Sequence, residues 1–185
     1  IFHAFFTYGS LLYLLAQLSP LKFFMKVISL AIFAFSTSSS SATMPITLDT
    51  VKNKLGVNSS IGSFTVPLGA TINMDGTAIM QGIATVFISQ AYNIDLTMVD
   101  YLMVILTATL ASIGTAGVPG VGLIMLAMVL EQVGLPVEGI ALIIGVDRLL
   151  DMTRTAVNVC GDAMVSCVVA KSEDEFNSET FHSEN

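Results

Sequence analysis

The chain has 185 residues, 54 % of them hydrophobic and 11 % charged, with a mean hydropathy of +0.79 and no Trp. Soluble domains carry about a quarter charged residues, so a soluble fold could not hide this much apolar surface, and the class is integral membrane. The net charge of −7 arises largely in residues 171–185, which hold five acids and one Lys, and the five lysines are scattered along the chain, which excludes a nucleic-acid surface.

Stretches without Asp, Glu, Lys or Arg cover residues 1–21, 27–48, 55–74, 76–94 and 101–130. Residues 1–19 form one apolar run with no Met and no charged flank at its start, and read as the end of a transmembrane helix. Residues 20–58 contain Phe35–Pro45, FSTSSSSATMP, a serine-rich break inside an apolar run. Residues 59–93 form a helix interrupted by Asn73-Met74-Asp75-Gly76-Thr77 after Pro67 and Gly69. Residues 94–134 contain Ala111–Gly122, ASIGTAGVPGVG, a second break built from Gly and Pro. The flanks of each break are too short for two full crossings, so 20–58 and 94–134 are read as re-entrant hairpins. Backbone of that kind at membrane depth is tolerated only when it is buried in protein or lines an aqueous cavity. Residues 135–170 form the final helix, and 171–185 an acidic tail expected to be disordered.

Lys22 and Lys26 precede the first hairpin, Lys52 and Lys54 follow it, and Lys171 follows the last helix. Placing all five in the cytoplasm satisfies the positive-inside tendency and leaves the C-terminus cytoplasmic. The predicted fold is therefore an all-α membrane protein. It is an inverted repeat of two re-entrant hairpins, each followed by a transmembrane helix, the first of them broken.

Asp147, Asp151, Arg154, Asn158 and Asp162 are spaced 4, 3, 4 and 4 along the last helix. At about 100° per residue they fall within roughly an 80° arc. Facing lipid, each charge would cost about 3 kcal/mol on insertion scales, so the stripe faces protein or water. A structural salt-bridge network is the bland alternative, but apolar packing would join helices as well. Arginine forks onto carboxylates, an aspartate holds an amine, and Asp with Asn offers hard oxygen ligands to a cation. Asn73, Asp75 and Gly76 suggest an unwound turn with free carbonyls, or else a capped kink. Cys160 and Cys167 lie about 10 Å apart on one helix, too far for a disulfide, and read as free thiols. His3 and His182 read as incidental.

Ser36–Pro45, Asn73–Thr77, Ala111–Gly122 and Asp147–Asp162 together resemble the four signature segments of the dicarboxylate/amino acid:cation symporters, the glutamate transporter family. The inverted-repeat pattern was itself defined partly on that family, so it is not separate support. The resemblance covers nearly the whole chain and corresponds to the C-terminal half of a family protein. It implies sodium-coupled uptake of glutamate or aspartate by alternating access at the cell membrane, without catalysis, in a full-length homotrimer. It implies a substrate site of Ser38, Ser40, Thr77, Val118, Gly122, Asp151, Arg154, Thr155 and Asn158. Asp151 takes the amino group there and Arg154 the side-chain carboxylate. It implies one Na+ site of Asp162, Gly69, Asn73 and Asn158, and a second of Thr71, Ser112, Ile113 and Thr115 near Met74. A third uses Asn73 and Asp75 with ligands outside this chain. One departure stands out. Some archaeal members carry Arg at the position of Ser38 and a small residue at that of Arg148. The rival readings are a proton-coupled dicarboxylate or neutral amino acid carrier of the same family, a channel with re-entrant filter loops, and an intramembrane enzyme. For the last, no catalytic Ser/His or metal-ligand pairing is present.

Overall fold

Helix boundaries follow local chemistry. The turns His3–Tyr8, Gly9–Leu11 and Leu12–Ala16 run on as one helix, α1, until Gln17 enters the left-handed region. Ser19 caps α2 (Pro20–Thr37), whose first residue is a proline with no N–H to satisfy. Ser38 ends α2 at φ 51°, a conformation that costs a non-glycine residue about 1–2 kcal/mol. The Ser39 hydroxyl then accepts the Ala42 N–H at 3.1 Å and starts α3 (Ser40–Asp49), extended by the wider turn Thr50–Lys54. Asn58 caps α4 (Ser59–Ile72), and α5 (Asp75–Ala91) follows after the non-helical pair Asn73 and Met74. A Thr97/Asp100 capping box opens α6 (Met98–Ser112). Then come α7 (Val121–Gln132), a 3₁₀ segment Val137–Leu142, α8 (Ile144–Ser172) and α9 (Ser178–His182).

The computed structural model describes residues 1–183; these are predominantly helical, with one isolated bridge between Val57 and Phe176 and no strand among them. Among them only Pro20–Thr37 is by itself long and apolar enough to cross a bilayer. The 12 residues of α7 reach about 18 Å, well short of a ~30 Å hydrocarbon core. The 29 residues of α8 are ample in length but carry the polar stripe.

Two apolar cores flank that stripe. One joins α1, α2, α4 and the second half of α8 through residues such as Leu12, Phe23, Leu30, Val66, Ala163 and Cys167. The other joins α5, α6 and α7 through Ile88, Val104, Ala108, Leu126 and Leu130. Large apolar side chains such as Phe5, Leu14, Ile32, Phe64, Ile83, Ile105 and Ile124 remain exposed, as a protein solvated by lipid or by further helices requires.

Two expectations are corrected. The final α-helix begins at Ile144 rather than near 135, because Pro136 opens a 3₁₀ turn first. The tail is ordered through Ser183. Asn58 donates its backbone N–H to the Glu175 carbonyl at 3.0 Å, and Asn177 donates to the Gly56 carbonyl at 2.7 Å. Phe181 is fully buried in the first core, and residues 184 and 185 of the expected disordered tail lie outside the described residues. Phe181→Ala removes an aromatic anchor and is expected to cost about 3 kcal/mol. Thermal unfolding of the full-length protein, with limited proteolysis at the tail, measures it.

Candidate functional site

The α8 stripe is buried along its whole length: Asp147, Asp151, Arg154, Asn158 and Asp162 are 2–6 % exposed. Arg154 donates from Nε to Asp151 Oδ1 at 3.0 Å, and its Nη2 lies 2.8 Å from the same oxygen without hydrogen-bond alignment. Its Nη1 lies 3.6 Å from Asp147 Oδ1, which gives Asp147 a place beside the guanidinium. Neither terminal nitrogen has an aligned acceptor, although both are buried. Arg148, one residue off the stripe, is exposed and lines no part of this site.

The loop between α6 and α7 closes over the guanidinium. Gly120 donates its N–H to Asp151 Oδ2 at 2.9 Å. At Gly122, the second residue of α7, a Cβ would collide with the guanidinium of Arg154, so the first turn of α7 packs directly on it. The α2–α3 tip meets the same loop: the Gly117 carbonyl accepts the Ser39 hydroxyl at 2.7 Å and the Ser41 N–H at 3.1 Å. The Ser38 hydroxyl is buried with no partner. Ser38 thus combines a left-handed backbone with an unsatisfied buried hydroxyl at one position.

All nine residues expected at the substrate site line one small cavity: Ser38 and Ser40 from the first tip, Val118 and Gly122 from the second, Thr77 from α5, and Asp151, Arg154, Thr155 and Asn158 from α8. Met74, Thr115, Ala116, Gly117 and Val121 complete the lining. The enclosed volume is about 20 Å³, room for roughly one water. Asn158 is already committed to α5, accepting the Gly76 N–H at 2.7 Å and donating to Thr77 Oγ1 at 3.3 Å. It therefore positions Thr77 as well as lining the cavity.

The residues expected to hold cations divide into three neighbourhoods. Asn73 donates from Nδ2 to Asp162 Oδ1 at 2.9 Å and lies 3.5 Å from the Asn158 carbonyl. A Cβ on Gly69 would collide with the Asp162 carboxylate, so α4 and α8 touch at this point. The Thr71 carbonyl accepts the Gly114 N–H at 2.8 Å, which brings the end of α4 to Ser112, Ile113 and Thr115, with the Thr115 hydroxyl bonded to the Ala111 carbonyl. Met74, Ser112 and Thr115 are buried there, while Ile113 is half exposed. Asp75 points elsewhere and takes the Tyr8 hydroxyl at 3.1 Å and His3 Nε2 at 3.0 Å. His3 is thus a partner of Asp75 rather than incidental, and nothing in its local sequence signals this. Among the described residues no three His, Cys, Asp or Glu side chains gather into a metal-holding cluster. A hard cation here would rest on Asp162 and on amide and carbonyl oxygens, each of which keeps a second lone pair.

Gln81, one turn after Thr77 on α5, is wholly buried with both amide atoms unpartnered. The sequence reading missed it, though its helical spacing from Thr77 was a usable signal.

Comparison with known proteins supplies the family. The chain is 47 % identical over 151 residues to an excitatory amino acid transporter of Caenorhabditis elegans, covering 82 % of the chain and 30 % of the relative. It is 45 % identical over 159 residues to excitatory amino acid transporter 3 of Oryctolagus cuniculus (86 % and 30 %) and 41 % over 170 residues to excitatory amino acid transporter 5 of Homo sapiens (92 % and 30 %). The chain spans about a third of the length of the curated relatives it matches. The model of the sodium:dicarboxylate symporter family matches residues 1–172, a range that takes in both tips, the Asn73–Met74 break and the entire α8 stripe, and the chain belongs to that family.

Proposed function

We propose that the full-length protein carries an acidic amino acid, glutamate or aspartate, across the cell membrane together with sodium, by alternating access. The observation that carries this reading is Arg154: a buried guanidinium whose two terminal nitrogens lack aligned acceptors, at the wall of a cavity shared with Asp151. A guanidinium grips a carboxylate bidentately. Asp151 suits an amine, and a dicarboxylate without an amine would leave it opposed to another negative charge. That favours an amino acid over succinate-like cargo.

Cargo enters by exchange. Both oxygens of Asp151 are engaged by the protein, one by Arg154 and one by the Gly120 N–H. An amine on Asp151 displaces the Gly120 N–H, and a carboxylate on Arg154 needs the Gly122 backbone to move off it. The α6–α7 pair acts as the gate, because its tip occupies the ground the substrate needs. In this reading α2–α3 and α6–α7 are re-entrant hairpins of opposite orientation, related as inverted repeats. The shortness of α6 and α7 and the meeting of the two tips at Gly117 support it.

Sodium, as co-transported cargo, is held at Asp162 with Asn73, Asn158 and Gly69, and at the Thr71–Ser112–Ile113–Thr115 junction by Met74. A further ion near Asn73 and Asp75 would draw on residues outside this chain. Ions that bridge α4, α8 and the α6–α7 loop favour the closed gate, so sodium and substrate each raise the other's affinity. The C-terminus is cytoplasmic and the assembled protein a homotrimer in this reading.

Uptake of labelled aspartate by the full-length protein in proteoliposomes tests the proposal. Uptake is expected to stop when choline replaces sodium and to be competed by glutamate but not by serine. Sodium-independent uptake driven by a proton gradient, with succinate as the stronger competitor, would sink it.

A further inference from the structure

The tip between α2 and α3 and the loop between α6 and α7 meet on one acceptor. The Gly117 carbonyl takes the Ser39 hydroxyl at 2.7 Å and the Ser41 N–H at 3.1 Å. The Ser39 oxygen has a second duty. As N-cap of α3 it accepts the Ala42 N–H at 3.1 Å, so one hydroxyl starts a helix as acceptor and reaches the opposite loop as donor. The positive end of the α3 dipole favours a carbonyl at this place. Gly117 lies flat on the first turn of α3, where a Cβ would come within 3.0–3.1 Å of Ser40 and Ser41. Ser39 is 7 % exposed, so water offers little replacement for its bond to Gly117 while the loop is down.

This contact differs in kind from those that the loop makes on α8. An amine on Asp151 and a carboxylate on Arg154 take over the places of Gly120 and Gly122, so cargo exchanges its own bonds for theirs. Ser39 is not among the residues lining the cavity, and its bond to Gly117 is not one that cargo takes over. We propose that Ser39 is a positioning residue that latches the α6–α7 loop. Its hydroxyl proton, donated to Gly117, sets how often the loop lifts whatever the cargo, and its lone pair separately keeps the first turn of α3 in place. The inference rests on the reading of α6–α7 as the gate but on no choice of cargo.

Three variants of the full-length protein separate the two duties. Ser39→Gly removes the donor but still starts a helix well, Ser39→Ala removes donor and cap together, and Ser39→Thr keeps both. The measurement is amide hydrogen exchange in sodium buffer without cargo, followed by mass spectrometry in a peptide spanning 113–122 and in one spanning 41–49. Exchange through loop opening tracks the open population. Ser39→Gly is expected to speed exchange in 113–122 by roughly fivefold, the worth of one hydrogen bond, since Ser41 still holds the Gly117 carbonyl. It should leave 41–49 near the original rate. Ser39→Ala should speed both peptides, and Ser39→Thr neither. Unaltered exchange of 113–122 in Ser39→Gly overturns the latch, and so does an equal gain in both peptides, which would make Ser39 a helix cap alone. Faster exchange of 113–122 in Ser39→Thr, matching that in Ser39→Gly, overturns it as well. In the unaltered protein, saturating aspartate should slow exchange of 113–122. Failure of that arm alone counts against the transport reading and not against the bond between the tips.

Discussion

Arg154→Cys in the full-length protein is expected to cut aspartate uptake by at least ~30-fold, from the 2–5 kcal/mol typical of removing one member of a buried, hydrogen-bonded charge pair. The side chain is 5 % exposed and joins Asp151 and Asp147 in one network, so its loss also leaves two carboxylates facing each other. Arg154→Lys separates these effects: it keeps the charge but not the fork, so it should restore surface expression without restoring aspartate transport. A neutral substrate needs no guanidinium, and sodium-dependent serine uptake is expected to appear in Arg154→Cys. Gly122→Ala should act in the same direction, because its new Cβ would occupy the guanidinium's place. Aspartate transport that survives Arg154→Cys would remove the basis of the substrate assignment.

Asp162→Asn is expected to raise the sodium concentration for half-maximal uptake by about tenfold or more, equivalent to ~1.4 kcal/mol of lost ion binding. Asp162 is 2 % exposed, its carboxylate touches Gly69, and Asn73 holds one of its oxygens at 2.9 Å. A carboxylate so deep in the protein is expensive without a counter-cation. Gly69→Ala keeps the charge but displaces it, and should give a smaller shift of the same sign. At saturating sodium, the KM for aspartate should stay near the original value in both variants, because neither residue lines the substrate cavity. A sodium response indistinguishable from the unaltered protein would show that Asp162 serves packing alone.

The stripe on α8 was legible because helical periodicity is local: five polar residues on one arc could only face inward, and all five are buried. The two tips and the Asn73–Met74 break were legible for the same reason, since Ser, Gly and Asn announce irregular backbone within a few residues. Arg148 and Arg154 share a helix and a charge, yet one is exposed and the other buried, as their angular positions dictate. What escaped was long-range. His3 meets Asp75 across 72 positions, and the acidic composition of 171–185 spoke for disorder while Phe181 was anchored in a core built by α1, α2 and α8. Composition weighs a segment alone, and one aromatic against a preformed core outweighs several solvated acids.

The docking of residues 175–181 has a consequence for biogenesis. Its contacts return to Gly56, Asn58 and Lys26, the last across 154 positions, so loop closure makes them late events. The ribosome releases this segment only after everything it docks upon. Until then the edge formed by residues 56–58 and the Phe181 pocket stay exposed, as a folding intermediate of a large protein typically leaves them. Release of that segment should therefore be the step that hides this edge from chaperones and proteases, and a nascent chain stalled before Phe176 should be the form they recognise.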